Sequence, residues 1–188
     1  MNHETWWDVG LVLAAGAGRR YGQPKACVQL NGERLVDRAV RVLREGGCQE
    51  VLVVLGAWIG GVVAAHTTHN PHWRDGMGSS LRWGLEQLQR QPEQRTTQPR
   101  RAVISLVDLP GLTGAAVARL RQEPVALGAA SYRGRQGHPV LIGEPHWPAL
   151  IPQLHGDTGA RDFLRTHAAR LIPLDPLADG LDLDRPRA

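Results

Sequence analysis

Short apolar runs and amphipathic stretches alternate along this chain, in an order typical of a layered α/β protein. Residues 35–45 carry apolar side chains at helical spacing, and Gly46 and Gly47 predict the end of that helix. Continuous apolar runs predict buried strands at 9–13, 51–55, 102–107 and 125–131. Strands and helices that alternate in this way favour a parallel sheet joined by right-handed crossovers.

Further segments complete the predicted order of elements. The uncharged residues 57–65 predict a helix after the second strand, and the apolar stripe beyond residue 80 predicts another helix that ends near Gln91. A strand is expected to start at His138, and a last helix opens within 156–161. The predicted N-caps of the last two helices are Ser79 or Ser80, and Asp157 or Thr158.

The stretch from Leu13 to Lys25 carries the clearest chemical signal. The first strand runs directly into a glycine-rich turn, whose backbone N–H groups are open to a bound anion. Arg19, Arg20 and the lysine supply the positive charge that a polyphosphate needs. The spacing matches neither common nucleotide fingerprint, because alanine follows the lysine and Tyr21 stands where GxGxxG needs a glycine.

Lys25 is the single lysine among 22 basic side chains. A lysine is a compact charge suited to a phosphate group, whereas arginine prefers flat, bidentate contacts. Chance retention of one lysine on a surface loop is the alternative interpretation. The glycines before it favour phosphate binding.

Asp108 directly follows the apolar run 102–107. A carboxylate at the carboxyl end of a parallel strand lies where open α/β sheets bind ligands. A polyphosphate bound there needs a hard cation such as Mg²⁺, held by one or two carboxylates. The alternative is an aspartate that caps a helix beginning near Thr113. Asp182 and Asp184 alternate near the end of the sequence, so this pair could supply a second carboxylate.

Other candidate binding residues rest on weaker patterns. His138 could contact a substrate phosphate or only hydrogen-bond the neighbouring backbone. Arg161 stands in the first turn of a predicted helix, where the dipole prefers anions, which hints at a phosphate on a second substrate. A solvated arginine is the alternative. Residues 76–80 could lie beside a nucleotide or only cap their helix.

Composition narrows the functional class. The 188 residues suit one domain, 1–188, with the polar residues 92–101 as a mobile surface loop. A net charge of +4 without a dense basic block argues against nucleic acid as a partner. Cys27 and Cys48 have neither zinc nor disulfide-scaffold spacing, so reduced thiols in the cytoplasm are expected. No signal-peptide pattern opens the chain, and the uncharged run 51–65 is too short to span a bilayer.

Six motifs in order resemble the MobA-like nucleotidyltransferases, in particular the molybdenum cofactor cytidylyltransferases. They are LAAGAGRRYGQPK from Leu13, NPHWRDGMGSSL from Asn70, DLP from Asp108, GHPVL from Gly137, GDTGAR from Gly156 and DLDRP from Asp182. The resemblance implies a single Rossmann-like, three-layer α/β domain with a mostly parallel central sheet, of the nucleotide-diphospho-sugar transferase type. It also implies transfer of CMP from CTP to the terminal phosphate of the molybdopterin cofactor, with pyrophosphate as the leaving group and Mg²⁺ as the cofactor. A molybdenum hydroxylase would receive the product.

The resemblance assigns a role to individual positions. Lys25 and Arg19 would hold the β- and γ-phosphates, and Asp108 and Asp184 would hold the metal. The expected nucleotide-binding residues are Leu13, Ala14, Ala15, Gly16, Gly18, Lys25, Ser79 and Ser80. The expected acceptor-binding residues are His138, Asp157 and Arg161.

Two features of the match bear on its details. In the family, LAAG goes with cytidine and LAGG with guanosine, so Ala15 favours CTP. Arg185 replaces the threonine of the family's DIDTP motif, which affects the assignment of the second metal ligand. The alternatives are a related transferase that uses GTP or a sugar or polyol phosphate, and a non-catalytic chaperone that binds molybdopterin.

Overall fold

A computed structural model describes residues 6–90 and 100–183. The strands are β1 (Trp7–Ala14), β2 (Gln29–Leu30), β3 (Glu33–Arg34), β4 (Glu50–Leu55), β5 (His66–His69), β6 (Arg100–Leu106), β7 (Leu127–Tyr132), β8 (Arg135–Gly143) and β9 (Arg170–Pro173). The helices are α1 (Leu35–Glu45), α2 (Met77–Gln89), α3 (Gly114–Arg121), α4 (Trp147–Leu150) and α5 (Arg161–Thr166).

A seven-stranded sheet in the order β5-β4-β1-β6-β8-β7-β9 forms the centre of the molecule. The pairs β5–β4, β4–β1, β1–β6 and β7–β9 are parallel, while β8 runs antiparallel to both β6 and β7. The predicted mostly parallel sheet is therefore confirmed, with one antiparallel strand inserted. The pair β2–β3 forms a separate antiparallel hairpin.

Helices cover both faces of the sheet. Successive side chains of a strand point to opposite faces, and in the central strands both sets of side chains are apolar. On β1, Val12 and Ala14 pack into one apolar cluster, which includes the buried faces of α1 and α3. Leu11 and Leu13 pack into a second cluster, with the buried side chains of α2, α4 and α5. This arrangement is the expected three-layer architecture.

The order of the strands creates a crevice at the carboxyl ends of β1 and β6. The strand β1 lies between β4 and β6, and Leu13 is in register with Val54 on one side and Leu106 on the other. The next strand of the chain that joins this sheet, β4, lies on one side of β1, and β6 lies on its other side. Such a switch point is where open α/β sheets bind ligands.

Local sequence patterns predicted some elements correctly and others wrongly. The predicted helix 35–45 is confirmed as Leu35–Glu45, with Gly47 at a φ of 91° just beyond it. The predicted helix at 57–65 is wrong, because this segment is irregular and leads into β5. The glycines of this segment disfavour a helix. Contacts with other elements hold the segment in its irregular path; one of them is the hydrogen bond from Arg34 Nη2 to the Gly61 carbonyl at 3.0 Å.

The predicted caps and the predicted loop also need correction. Gly76 and Ala160 precede α2 and α5, so neither Ser79 nor Ser80 caps the first, and neither Asp157 nor Thr158 caps the second. Of the loop predicted at 92–101, Arg100 and Arg101 are buried in β6, and the rest lies outside the described residues. Within 6–90 and 100–183, no helix is long and apolar enough to cross a membrane.

Candidate active site

Two adjoining cavities open at the crevice between β1 and β6. The larger, about 520 Å³, is lined by residues of the segment 15–25 and is called here the loop cavity. The smaller, about 350 Å³, is lined by residues of 136–140 and 157–164 and is called the strand cavity. Leu13, Met77 and Asp157 line both. A ligand could therefore extend from one cavity into the other.

The glycine-rich segment after β1 folds into a tight turn. The amides of Tyr21 and Gly22 both donate to the Gly18 carbonyl, at 2.8 and 2.9 Å. Gly18 has a φ of 61°, and a Cβ there would lie 1.9 Å from the carbonyl oxygen of Gln23. Only glycine fits this position. The turn directs the chain back toward the crevice, where Lys25 lines the loop cavity.

Lys25 and Asp108 meet across the crevice. The Lys25 Nζ lies 2.6 Å from Asp108 Oδ2, and the two side chains are only 15% and 17% exposed. The helix after Asp108 has its own cap, since Thr113 Oγ1 accepts from the Ala116 amide at 3.2 Å. The alternative role of Asp108 as a helix cap is therefore excluded.

The segment 174–183, called here the C-terminal strap, passes beside Asp108. The Leu183 amide donates to the Asp108 carbonyl at 2.8 Å, and the Leu183 side chain is buried. Asp182 therefore precedes a residue anchored on the Asp108 backbone. Asp184, predicted as the second metal ligand, lies outside the described residues.

The start of α2 forms the wall between the cavities. The Gly78 amide donates to the Gly156 carbonyl at 2.8 Å, and a Cβ at Gly76 would lie 2.3 Å from that same oxygen. Small residues thus let the 156–161 segment pack directly on the helix start. This contact places Asp157 at the boundary of both cavities.

The buried Asn70 organises the residues before α2. Its Nδ2 donates to the hydroxyl oxygens of Ser79 and Ser80, at 3.0 and 3.2 Å, and its Oδ1 accepts from the His72 amide at 2.9 Å. The Ser79 hydroxyl also lies 2.9 Å from the Gly76 carbonyl, to which it can donate. These contacts hold Ser79 in the loop structure, while Ser80 lines the loop cavity.

The strand cavity carries His138 and Arg161. The pKa of His138 is lowered to about 4, mainly by burial; the charge of Asp108 opposes this shift, and the charge of Arg161 contributes to it. The histidine is therefore neutral at physiological pH. The Tyr132 hydroxyl donates to the His138 carbonyl at 2.8 Å, which fixes the backbone at this point of β8.

The cavities collect most of the residues that were predicted from the sequence. The loop cavity is lined by Leu13, Ala15, Gly16, Gly18, Arg19, Lys25, Ser80 and Asp108, and the strand cavity by His138, Asp157 and Arg161. Ala14 is buried in β1, and neither it nor Ser79 is among the lining residues.

Sequence reasoning gave no role to Trp73 and Arg74, which also line the loop cavity. Met77 lines it as well and belongs to the segment 76–80, which was predicted to lie beside a nucleotide or only to cap its helix. The Arg74 guanidinium lies 4.4 Å from the centre of the Trp73 ring. Both belong to the motif that starts at Asn70, so the motif was the available signal. Their position at the cavity depends on how the short helical turn Trp73–Asp75 folds, which the motif alone does not show.

The surroundings of Asp108 fit a divalent cation. The ammonium group of Lys25 already lies against its carboxylate, so this position accepts positive charge. Among the residues that the structure describes, no group of three or more His, Cys, Asp or Glu side chains could hold a metal ion. Mg²⁺ does not need such a cage, because one or two carboxylates and substrate phosphates commonly suffice.

Known proteins resemble this chain over most of its length. A protein of Paenarthrobacter nicotinovorans named nicotine blue oxidoreductase is 36% identical over 193 residues, which cover 93% of this chain and 91% of the relative. A protein of Synechococcus elongatus named probable molybdenum cofactor guanylyltransferase is 31% identical over 179 residues, which cover 87% of each.

Solved structures share the fold. Rv0371c from Mycobacterium tuberculosis H37Rv aligns with a TM-score of 0.77 over 96% of this chain and 94% of its own, at 22% identity. Its complex with manganese aligns with a TM-score of 0.68 over 88% and 86%, at 21% identity. The model of the MobA-like NTP transferase domain matches residues 10–171. The chain belongs to the MobA-like NTP transferase family.

Proposed function

We propose that this protein transfers CMP from CTP to the terminal phosphate of the molybdopterin cofactor and releases pyrophosphate, with Mg²⁺ as the cofactor. The observation that carries the proposal is the pair of adjoining cavities at the ends of β1 and β6, with Lys25 and Asp108 in the larger one. One cavity suits a nucleotide and the other an acceptor. The relative named as a molybdenum cofactor guanylyltransferase supports this choice of acceptor.

The nucleotide phosphates would lie along the turn after β1. Backbone N–H groups of the glycine-rich segment, together with Arg19 and Lys25, would bind the β- and γ-phosphates. An acceptor phosphate oxygen then forms a bond to the α-phosphorus while the bond to pyrophosphate breaks. Catalysis by the protein consists of positioning and charge neutralisation, and no protein nucleophile is needed.

Asp108 would hold the metal together with a carboxylate of the C-terminal segment. Asp184 is the preferred second ligand and Asp182 the alternative. A cation held there would supply positive charge that stabilises the leaving pyrophosphate. Support comes from the Lys25 ammonium beside Asp108 and from the manganese complex of the structural neighbour.

The acceptor phosphate would bind in the strand cavity. Arg161 provides a cation there, and His138 provides a neutral ring that is able to donate or accept a hydrogen bond. Asp157 lies at the boundary of both cavities, where the two substrates would meet.

The choice of CTP over GTP rests on Ala15. This residue lines the loop cavity, where its methyl group would narrow the space available to a base. Discrimination by one methyl group in a pocket is modest, about 1–3 kcal/mol. The related guanylyltransferase of Synechococcus makes the base preference a central question for experiment.

The test is pyrophosphate release with Mg²⁺ and molybdenum-loaded molybdopterin, measured with CTP and with GTP under identical conditions. Release with CTP is expected. Release with GTP alone would overturn the base assignment and keep the reaction class. CTP binding without turnover would instead favour a chaperone, which binds the cofactor and hands it to a molybdenum hydroxylase. The free thiols of Cys27 and Cys48 are consistent with work in the cytoplasm.

A second candidate is a redox activity on a heteroaromatic compound. The observation that favours it is the 36% identity to the protein named nicotine blue oxidoreductase. In that case the two cavities would hold an electron donor and the oxidised aromatic compound side by side. Loss of the blue colour of nicotine blue with reduced nicotinamide dinucleotide, together with no pyrophosphate release from any nucleoside triphosphate, would establish this alternative.

A further inference from the structure

Tyr132, the last residue of β7, contacts two parts of the candidate site. Its hydroxyl donates to the His138 carbonyl at 2.8 Å, and a Cβ built at Gly137 would lie 3.0 Å from its ring. A Cβ at Gly180 of the C-terminal strap would lie 2.3 Å from the same ring. The tyrosine ring therefore fills the space between β8 and the strap.

The strap is tied down on both sides of this contact. The Leu174 amide donates to the Ser131 carbonyl at 3.1 Å, and Thr113 Oγ1 donates to the Leu177 carbonyl at 2.9 Å. At the far end, Leu183 bonds to the Asp108 backbone at 2.8 Å. Gly180, between these anchors, has a φ of 65° that disfavours any side chain. The ring of Tyr132 thus has little freedom to move without moving the strap.

The hydroxyl of Tyr132 stays a donor across the working pH range. Burial raises the pKa of Tyr132 to about 12, and the nearby carboxylates of Asp179 and Asp175 add to this effect. Below that pH the hydroxyl keeps the proton that it donates to the His138 carbonyl.

We infer that Tyr132 is a positioning residue that links the strap beside Asp108 to the acceptor side of the site at His138. Both contacts converge on one rigid ring, so a displacement of the strap is transmitted to β8, and the reverse. The functional consequence is that ligand binding in one cavity affects ligand binding in the other, and this consequence rests on the proposed function.

Hydrogen exchange tests the linkage without reference to activity. In the Gly180→Ala variant, the added methyl group collides with the ring, and we expect exchange of the amides of 136–142 to become at least about tenfold faster, as well as that of Leu183. Gly32→Ala is the matched control. Gly32 has a similar φ of 81°, and a Cβ there meets nothing within 4 Å. Faster exchange confined to the strap in Gly180→Ala would overturn the inference.

The Tyr132→Phe variant separates the two contacts, because it keeps the ring and removes only the hydroxyl. Exchange of the Leu183 amide should stay as in the wild type, while the amides around His138 exchange faster. The loss of one hydrogen bond predicts a rise of about three- to tenfold in the acceptor KM, with kcat and the CTP KM unchanged. Unchanged exchange around His138 in this variant would contradict the proposed link.

A double variant completes the cycle. In Tyr132→Ala the space left by the ring accommodates a methyl group at Gly180, so Gly180→Ala should accelerate exchange of 136–142 much less in that background. Additive effects would overturn the inference. Without transferase turnover in the wild type, the proposed function fails, and the exchange data still decide the role of Tyr132.

Discussion

Two ion-pair clusters lie at opposite ends of the neighbouring strands β1 and β6. At the amino ends, Asp8 Oδ1 and Oδ2 bind Arg101 Nε and Arg121 Nε, each at 2.7 Å. At the carboxyl ends, Lys25 Nζ binds Asp108 Oδ2 at 2.6 Å. Both clusters pair an aspartate with basic side chains, and their surroundings differ.

The amino-end cluster is closed. Arg101 is 1% exposed on its side chain and Asp8 3%. The remaining donors of Arg101 reach the carbonyl oxygens of Glu123, Val125 and Arg121, at 2.8, 2.9 and 2.8 Å. Asp8 and Arg101 therefore have their charged atoms paired within the protein, and Arg121, which is 19% exposed on its side chain, also donates to the Gly46 carbonyl at 2.6 Å. None of these three residues lines the loop cavity or the strand cavity, so neither cavity adjoins this cluster.

The carboxyl-end pair faces a cavity of about 520 Å³. Lys25 and Asp108 are mostly buried in its wall, and the glycine-rich turn lies beside them. A phosphate could draw the lysine away and a cation could take its place at the aspartate. The comparison teaches that open space beside an ion pair, and not the pair itself, separates a binding site from a structural bridge.

The largest effect is expected at the open pair. Asp108→Asn should reduce turnover by about 10³-fold, because the amide removes the charge that, in the proposed reaction, would hold a cation, while it keeps the size of the side chain. The thermal midpoint should stay within about 2 °C of the wild type, since the residue is not part of the closed cluster. Pyrophosphate release and thermal unfolding measure the two quantities. Turnover within tenfold of the wild type would remove Asp108 from the site.

The closed cluster should behave in the opposite way. Asp8→Asn leaves the two arginines without a counter-charge and should lower the free energy of unfolding by about 3–5 kcal/mol. At temperatures where the variant is folded, kcat should match the wild type. Denaturant unfolding and pyrophosphate release give the comparison. A large loss of kcat with little loss of stability would reverse the assignment of the two clusters.

Lys25 allows a finer test of the open pair. Lys25→Arg keeps the charge but replaces a compact ammonium with a planar fork, and we expect turnover to fall by about ten- to a hundredfold. Lys25→Met removes the charge and should cost more than the arginine variant. Equal activity of the arginine variant and the wild type would mean that only charge matters at this position.

The smallest effect concerns acid stability at the carboxyl end. Burial lowers the pKa of His138 from 6.5 to about 4. Between these two pKa values the histidine is protonated in the unfolded chain and neutral in the folded chain. The free energy of unfolding therefore decreases as the pH falls from 6.5 to 4. Between pH 7 and pH 5 the free energy of unfolding of the metal-free wild type should fall by about 1 kcal/mol more than that of His138→Asn. This figure is discounted for the partial exposure of the ring. Identical pH profiles would refute this prediction.

Local sequence signals predicted the elements that position the site. The apolar stripe of α1 and the two glycines after it lie within one segment, so its bounds were predictable. The position of Asp108 followed from a general rule for strand ends, because the strand before it is a clear apolar run. The glycine-rich turn and its single lysine were likewise visible in one continuous stretch.

The rest depends on contacts between distant segments. Asp8 and Arg101 are register partners 93 residues apart, so the sequence placed Arg101 in a loop and missed the closed cluster. The insertion of β8 between β6 and β7 was equally invisible, since the pattern of an antiparallel strand buried on both faces matches that of its parallel neighbours. Tyr132 drew no attention because its partners, His138 and Gly180, meet only in the folded chain.

The most direct test of the proposed reaction follows the α-phosphorus of the nucleotide. With CTP labelled at the α-phosphate, Mg²⁺ and molybdenum-loaded molybdopterin, the label should appear in a cytosine dinucleotide in the wild type and not in Asp108→Asn. The same experiment with label at the γ-phosphate should yield labelled pyrophosphate only. Absence of transfer from any nucleoside triphosphate by the folded, nucleotide-binding wild type would contradict the proposal that this family member is a nucleotidyltransferase.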